Sequence, residues 1–219
     1  MKVAAVIFDA FGTLVEIRRR TNPYRALLLE GRKHGRSYGA DDVRTLMTHP
    51  LSLAAAAEIL GIHVSEQRLV ELEAMLDEEL ESITPFADAA PAVSTLAEAG
   101  LKIGICSNLA APYGPVIRRF FPGVDAFCFS YEVGEMKPDR YIYESACADL
   151  GVRPGHWFGD QGTAVMIGDS LKGDCYGPRA AGIKGLHLQR MQDSKLPDLV
   201  CFTQIILDHV GAHQKAGSA

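Results

Sequence analysis

No segment of this 219-residue chain approaches the roughly 20 consecutive apolar residues that a membrane-spanning helix requires. The apolar run after Met1-Lys2 stops at Asp9, too short for a signal-peptide core. The chain is therefore expected to be soluble and cytoplasmic, with no membrane partner. A basic excess is missing too: the formal charge is −5, whereas general nucleic-acid binders carry a positive footprint. The five cysteines, at 106, 128, 147, 175 and 201, include no close pair of metal-ligand type, and an odd number cannot complete a disulfide framework. Cys106 and Cys128 fall in strand-like runs and read as small buried hydrophobes. Cys175, beside Asp174, is the one thiol worth testing for reactivity.

What is present is ordinary globular composition, 47% hydrophobic and 22% charged. The length exceeds a typical single domain, so a core with a sizeable insertion, or two small domains, is expected. Two segments carry the most information. Val3 to Phe8 is an apolar run that ends at Asp9, and Ala164 to Ile167 is another that leads to Gly168-Asp169. Runs of this kind read as strands buried on both faces. In a parallel α/β sheet, residues just beyond the strand carboxyl ends line the ligand crevice, where Asp9 and Asp169 could meet. Converging carboxylates share a proton or hold a cation, and hard oxygen ligands suit Mg²⁺. The plain alternative is that each Asp starts a turn or caps a helix.

From Phe86 onward, strand-like and helix-like segments alternate. A helix is expected from about Asp88 to Ala99, ended by Gly100, then a strand at 101–106, a helix near 112–120 and a strand at 126–130. A helix near 139–150 stopped by Gly151, a strand at 164–167, a helix to about Ala181 and a strand near 185–188 complete the series. This rhythm implies a Rossmann-like parallel sheet with helices on both sides. The stretch between Leu14 and Ile83 breaks it. No convincing strand is found there, Leu51 to Leu60 favours a helix, and Leu69, Leu72, Leu76 and Leu80 fall at helical spacing behind a capping Ser65.

Four motifs in order make the chain resemble the haloacid dehalogenase-like (HAD) hydrolase superfamily. They are Asp9-Ala-Phe11-Gly12-Thr13, Ser107 at the end of Leu101-Lys-Ile-Gly-Ile-Cys-Ser107-Asn108, Lys137-Pro138-Asp139, and Gly168-Asp169 with Asp174 five residues on. The resemblance implies an α/β HAD-like core over 1–14 and 85–219, with a helical cap domain over 15–84. It implies Asp9 as nucleophile, Thr13 and Ser107 as donors to the transferred group, and Lys137 as the cation beside them. Asp9, Asp169 and the Phe11 carbonyl would ligate Mg²⁺, with Asn108 and Asp174 supporting. A second Gly-Asp pair, Gly159-Asp160, has Val165 five residues on rather than an acid and reads as loop.

Phe11 departs from the pattern. Most HAD phosphatases have there a second Asp that protonates the leaving group, and Phe cannot transfer a proton. The resemblance therefore implies Mg²⁺-dependent hydrolysis of a small anionic phosphate ester or anhydride, with two alternatives. L-2-haloacid dehalogenases carry an aromatic at the Phe11 position and a Tyr six residues after the motif lysine, as Tyr143 is here; they work without metal, with Ser and Asn where this chain has Asp169 and Leu171. A fold-retaining binding module is the other. Phosphonatases would need a cap lysine, for which Lys33 is the sole candidate. The cap also carries a basic stretch, Arg18, Arg19, Arg20, Arg25, Arg32, Lys33 and Arg36, that is either a solvated face or an attractor for an anion. Tyr24, His34 and Tyr38 lie within reach by position.

Overall fold

Residues 3–33, 35–154, 162–191 and 193–216 are described by the computed structural model; His34 and the Gly159-Asp160 pair lie outside them. The apolar runs form strands where expected. β1 (Val3–Phe8) opens the chain, followed by β2 (Val15–Ile17), and a helical insertion made of α1 (Pro23–Lys33), α2 (Ala40–Thr48), α3 (Leu53–Ile59) and α4 (Glu66–Glu81) ends at β3 (Ile83–Pro85). Next come α5 (Ala89–Glu98), β4 (Lys102–Ser107), α6 (Gly114–Phe120), β5 (Ala126–Phe129), the short α7 (Ser130–Val133) and α8 (Arg140–Asp149). β6 (Thr163–Gly168), α9 (Gly177–Ala180), β7 (Lys184–His187) and α10 (Leu199–Ala216) complete the order.

Five strands make one parallel sheet in the order β5-β4-β1-β6-β7. Alternate residues feed two cores, as a sheet covered on both sides requires. Val6, Phe8, Ile103, Ile105 and Ile167 face one core. Ala5, Ile7, Cys106, Cys128 and Met166 face the other. α10, which the sequence reading did not anticipate, buries Leu199, Phe202 and Ile206 in the first core, with the Phe202 ring edge-on to Phe8 at 5.8 Å. α8 places Ile142, Tyr143, Ala146 and Cys147 in the second. Cys175 is buried as well, its Sγ against the Gly185 carbonyl at 3.6 Å, which removes the exposure a reactive thiol needs.

The insertion is helical for the reasons its sequence suggests. Ser65 Oγ accepts from the Arg68 amide at 3.2 Å and caps α4, whose Leu72 and Leu76 are buried. Ser52 does the same for α3 through Ala55. One expectation is corrected. Strands do occur at both ends of the segment: β2 pairs antiparallel with β3, Val15 opposite Pro85 and Ile17 opposite Ile83. Three residues are too few for alternation to register as a pattern, and Pro85 is tolerated at the end of a two-stranded ribbon. The expected single helix after β6 is also two pieces, a wide π-helical turn at Leu171–Tyr176 and then α9.

Candidate active site

The carboxyl ends of β1, β4 and β6 deliver Asp9, Ser107 and Asp169 to one place. Asp9 follows β1 directly, and its amide is held by the Ile167 carbonyl at 2.9 Å. Its Oδ1 accepts from Ser107 Oγ at 2.9 Å and from Lys137 Nζ at 2.7 Å. Lys137 also donates to Asp174 Oδ1 at 2.6 Å and to the Cys106 carbonyl at 3.0 Å, so its three protons are all used. Asn108 fixes the lysine's backbone from both sides: its side chain donates to the Lys137 carbonyl at 2.8 Å and accepts from the Lys137 amide at 2.7 Å. Asp174 Oδ2 takes the Ser170 amide at 2.9 Å, which ties the π-helical turn to the lysine.

Asp169 stands apart, exposed and without an ion pair among the described residues. Its carboxylate lies against Gly12: a Cβ on that glycine would stand 2.1 Å from Asp169 Oδ2, and Gly12 has φ +80°. Glycine is thus required there twice, for the turn and for the approach. Oxygens of Asp9, Asp169 and Asp174 all lie within 4.8 Å of one another. Burial raises the pKa of the Asp9 carboxyl, with Asp174 adding to it, against the pull of Lys137 and the Ser107 hydrogen bond. Asp169 is raised too, first because its carboxylate, though the residue is exposed, is partly desolvated against the chain, then by Asp9. Burial works against the charge of Lys137, but Asp9 and Asp174 together outweigh it and hold the ammonium above its ordinary range.

Asp9, Ser107, Asn108, Lys137 and Asp174 floor a cavity of about 810 Å³ whose far wall includes Asp41, Val43 and Arg44 of the insertion. Arg44 crosses it to bond Asp139 at 2.7 Å and also Glu135, fastening α2 to the loop that carries Lys137. Neither Arg44 nor Asp41 was singled out from sequence, since nothing in spacing marks them; only the packing of α2 over the strand ends does. Phe11 lines the same cavity, its ring edge-on to Tyr113 at 5.7 Å.

Other residues singled out from the sequence do not line this cavity. Thr13 is fully buried, its Oγ1 has no partner among the described residues, and its carbonyl accepts from Arg190 at 2.6 Å. Arg190 lies over the Phe86 ring at 3.8 Å and pairs with Asp88, so it braces the return from β3 against the loop after Asp9. Tyr143 is also fully buried, does not line the cavity, and donates to the carbonyl of Gly173, which does, at 2.6 Å. Of the basic stretch, Arg18, Arg19, Lys33 and Arg36 pair with acids of their own neighbourhood, and Arg32 lies over Tyr38 at 5.7 Å. Lys33 is absent from the cavity wall, so the insertion's lysine is not presented to Asp9 among the described residues.

A family model described as haloacid dehalogenase-like hydrolase matches residues 3–182. The chain belongs to the haloacid dehalogenase-like hydrolase family. No curated protein matches it in sequence. Solved structures share the family fold. A HAD phosphatase from Thermococcus onnurineus is similar at 23% identity over 93% of this chain and 98% of that one, with TM-score 0.59. A putative beta-phosphoglucomutase from Thermotoga maritima is 20% identical over 94% and 99%, with TM-score 0.61. An L-2-haloacid dehalogenase from Xanthobacter autotrophicus, with chloropropionic acid covalently bound, is 21% identical over 87% and 79%, with TM-score 0.57. Membership establishes a hydrolase; phosphatases and dehalogenases share the fold equally.

Proposed function

We propose that this hydrolase uses Asp9 as nucleophile to cleave phosphate esters or anhydrides of a small anionic substrate, with Mg²⁺ as cofactor. The reading treats 15–84 as a cap domain closing on a core formed by 1–14 and 85–219. One observation carries it: the oxygens of Asp9, Asp169 and Asp174 converge within 4.8 Å with a single lysine among them. Lys137 already satisfies Asp9 and Asp174, so Asp169 is left to repel Asp9 unless a cation joins them. The donor set, carboxylates of Asp9 and Asp169 and the Phe11 carbonyl, is the hard oxygen set that Mg²⁺ takes. When bound there, such an ion neutralises charge on the transferred group.

The chain's own residues then divide the work. Asp9 Oδ attacks phosphorus as the leaving group departs, and water hydrolyses the resulting aspartyl phosphate, two easier steps than one. Lys137 offsets charge at the nucleophile, and Asn108 and Asp174 hold the lysine in place. Ser107 donates to the transferred group, and Thr13 would do so through its unpartnered hydroxyl. Phe11 carries no proton, so the preferred leaving groups are those that depart without one, such as acyl and aryl oxygens. Release of phosphate from acetyl phosphate and p-nitrophenyl phosphate should need added Mg²⁺ and vanish in Asp9→Asn. The aromatic ring of Phe11 in the cavity favours a second reading, carbon–halogen hydrolysis. Metal-independent chloride release from 2-chloropropionate would establish that one in place of the first. No turnover on either substrate type would favour a metal-binding module that keeps the fold without catalysis.

A further inference from the structure

A second chamber, about 470 Å³, adjoins the first, and Phe11, Val43 and Asn108 line both. Its walls are of another kind. Tyr24, Leu28, Leu46, Met47 and Tyr113 make it apolar and aromatic, on the insertion side of Phe11. Glu79 also lines it, but is spent: Oε1 accepts from Tyr113 at 2.8 Å, and Oε2 takes the Thr21 and Asn22 amides, both at 2.7 Å. Two cations border the chamber, Arg20 and Arg25. They are the members of the basic stretch that form no ion pair and no ring contact among the described residues, and both are exposed.

We infer that this chamber seats the non-reacting part of the substrate, an apolar ring-sized body bearing an acidic group that meets Arg20 and Arg25. The inference rests on the reading that the reacting group sits at Asp9 and adds the chemistry of what is attached to it. Apolar walls with a few polar groups are how pockets of this size fix orientation. An arginine left without a carboxylate, beside such walls, is matched by an anion it can grip with paired N–H groups. An aryl leaving group also fits Phe11, because aryl oxygen leaves without a donated proton. Val43 and Phe11 then stand at the passage between the reacting end and the body.

The test is calorimetric titration of the whole chain with three probes that hold no transferable group: 2-naphthoate, uncharged 2-naphthylmethanol and acetate. Naphthoate should bind about tenfold or more tighter than acetate, the apolar ring supplying the difference. The double variant Arg20→Gln, Arg25→Gln should weaken naphthoate by about tenfold and leave naphthylmethanol nearly unchanged. Val43→Trp, a change at a surface-facing helix position, should weaken both aromatic probes by narrowing the passage. Equal binding of naphthoate and acetate, or naphthoate affinity untouched by the double variant, would overturn the inference. Since no probe reacts, a chain that binds them as expected yet releases neither phosphate nor chloride would overturn the hydrolytic reading alone.

Discussion

Two clusters in this molecule have the same composition, one cation between two carboxylates, and opposite surroundings. Lys137 sits between Asp9 and Asp174 with all three almost wholly shielded from water. Arg44 sits between Glu135 and Asp139 with each side chain more than a third exposed. In the first, removing one partner leaves charge stranded where nothing can solvate it. In the second, water replaces whatever is lost, and salt screens what remains. The same chemistry thus serves as a permanent frame under the site and as a reversible fastening across its mouth.

Lys137→Met should have the largest effect. It strands Asp9 and Asp174 and should lower stability by about 3–5 kcal/mol, read by urea denaturation. Because the folded ammonium titrates above its ordinary 10.5, its contribution is complete below that pH. The wild-type advantage over Lys137→Met should therefore shrink as pH rises beyond it. A gap between the two proteins that widened in alkali would contradict the buried-frame description.

Gly12→Ala comes next and acts on the site rather than the frame. The added methyl meets Asp169 Oδ2 and forces a left-handed backbone on alanine. A stability cost of about 1–2 kcal/mol is expected. Displacing Asp169 should cost about 10²-fold in turnover, with the larger share in kcat. Turnover equal to wild type would show that Asp169 plays no part.

Arg44→Gln should do least to stability, leaving the melting temperature nearly unchanged. The fastening has its own pH signature, opposite in sign to that of the frame. Arg44 holds the Asp139 carboxyl below its ordinary 3.8, so the contribution is present above that pH and lost as the solution is acidified through the lower folded value. Added salt should erase the difference between wild type and Arg44→Gln in substrate KM. A salt-independent difference would mean that Arg44 touches the substrate itself.

How much of this was legible in sequence follows the range of the interactions. Buried strands announce themselves through unbroken apolar runs, which is why β1 and β6, and with them Asp9 and Asp169, can be placed from residues alone. The alanines of 51–60 and a serine cap at 65 mark α3 and α4 in the same local way. The β2–β3 ribbon could not be seen, because Val15 and Pro85 signal a strand only once they are paired. Arg44, Asp41 and the chamber beyond Phe11 were hidden for a like reason: they depend on how α2 and α4 lean over the sheet. Tyr143 shows the converse. Its spacing from Lys137 matched the dehalogenase pattern, while its ring fills the core and its hydroxyl is consumed by Gly173.

The hydrogen bond from Arg190 to the carbonyl of Thr13 joins positions 177 apart. During synthesis the chain emerges from its amino end, and residues near 190 leave the ribosome long after the loop that follows Asp9 has done so. Until then the loop after Asp9 lacks its brace, just as Asp9 lacks Lys137 until residue 137 is out. A partly made copy thus has Asp9 without the groups that hold it in the folded chain. Assembly order thus lets the frame around Asp9 close only after residue 190 has been made.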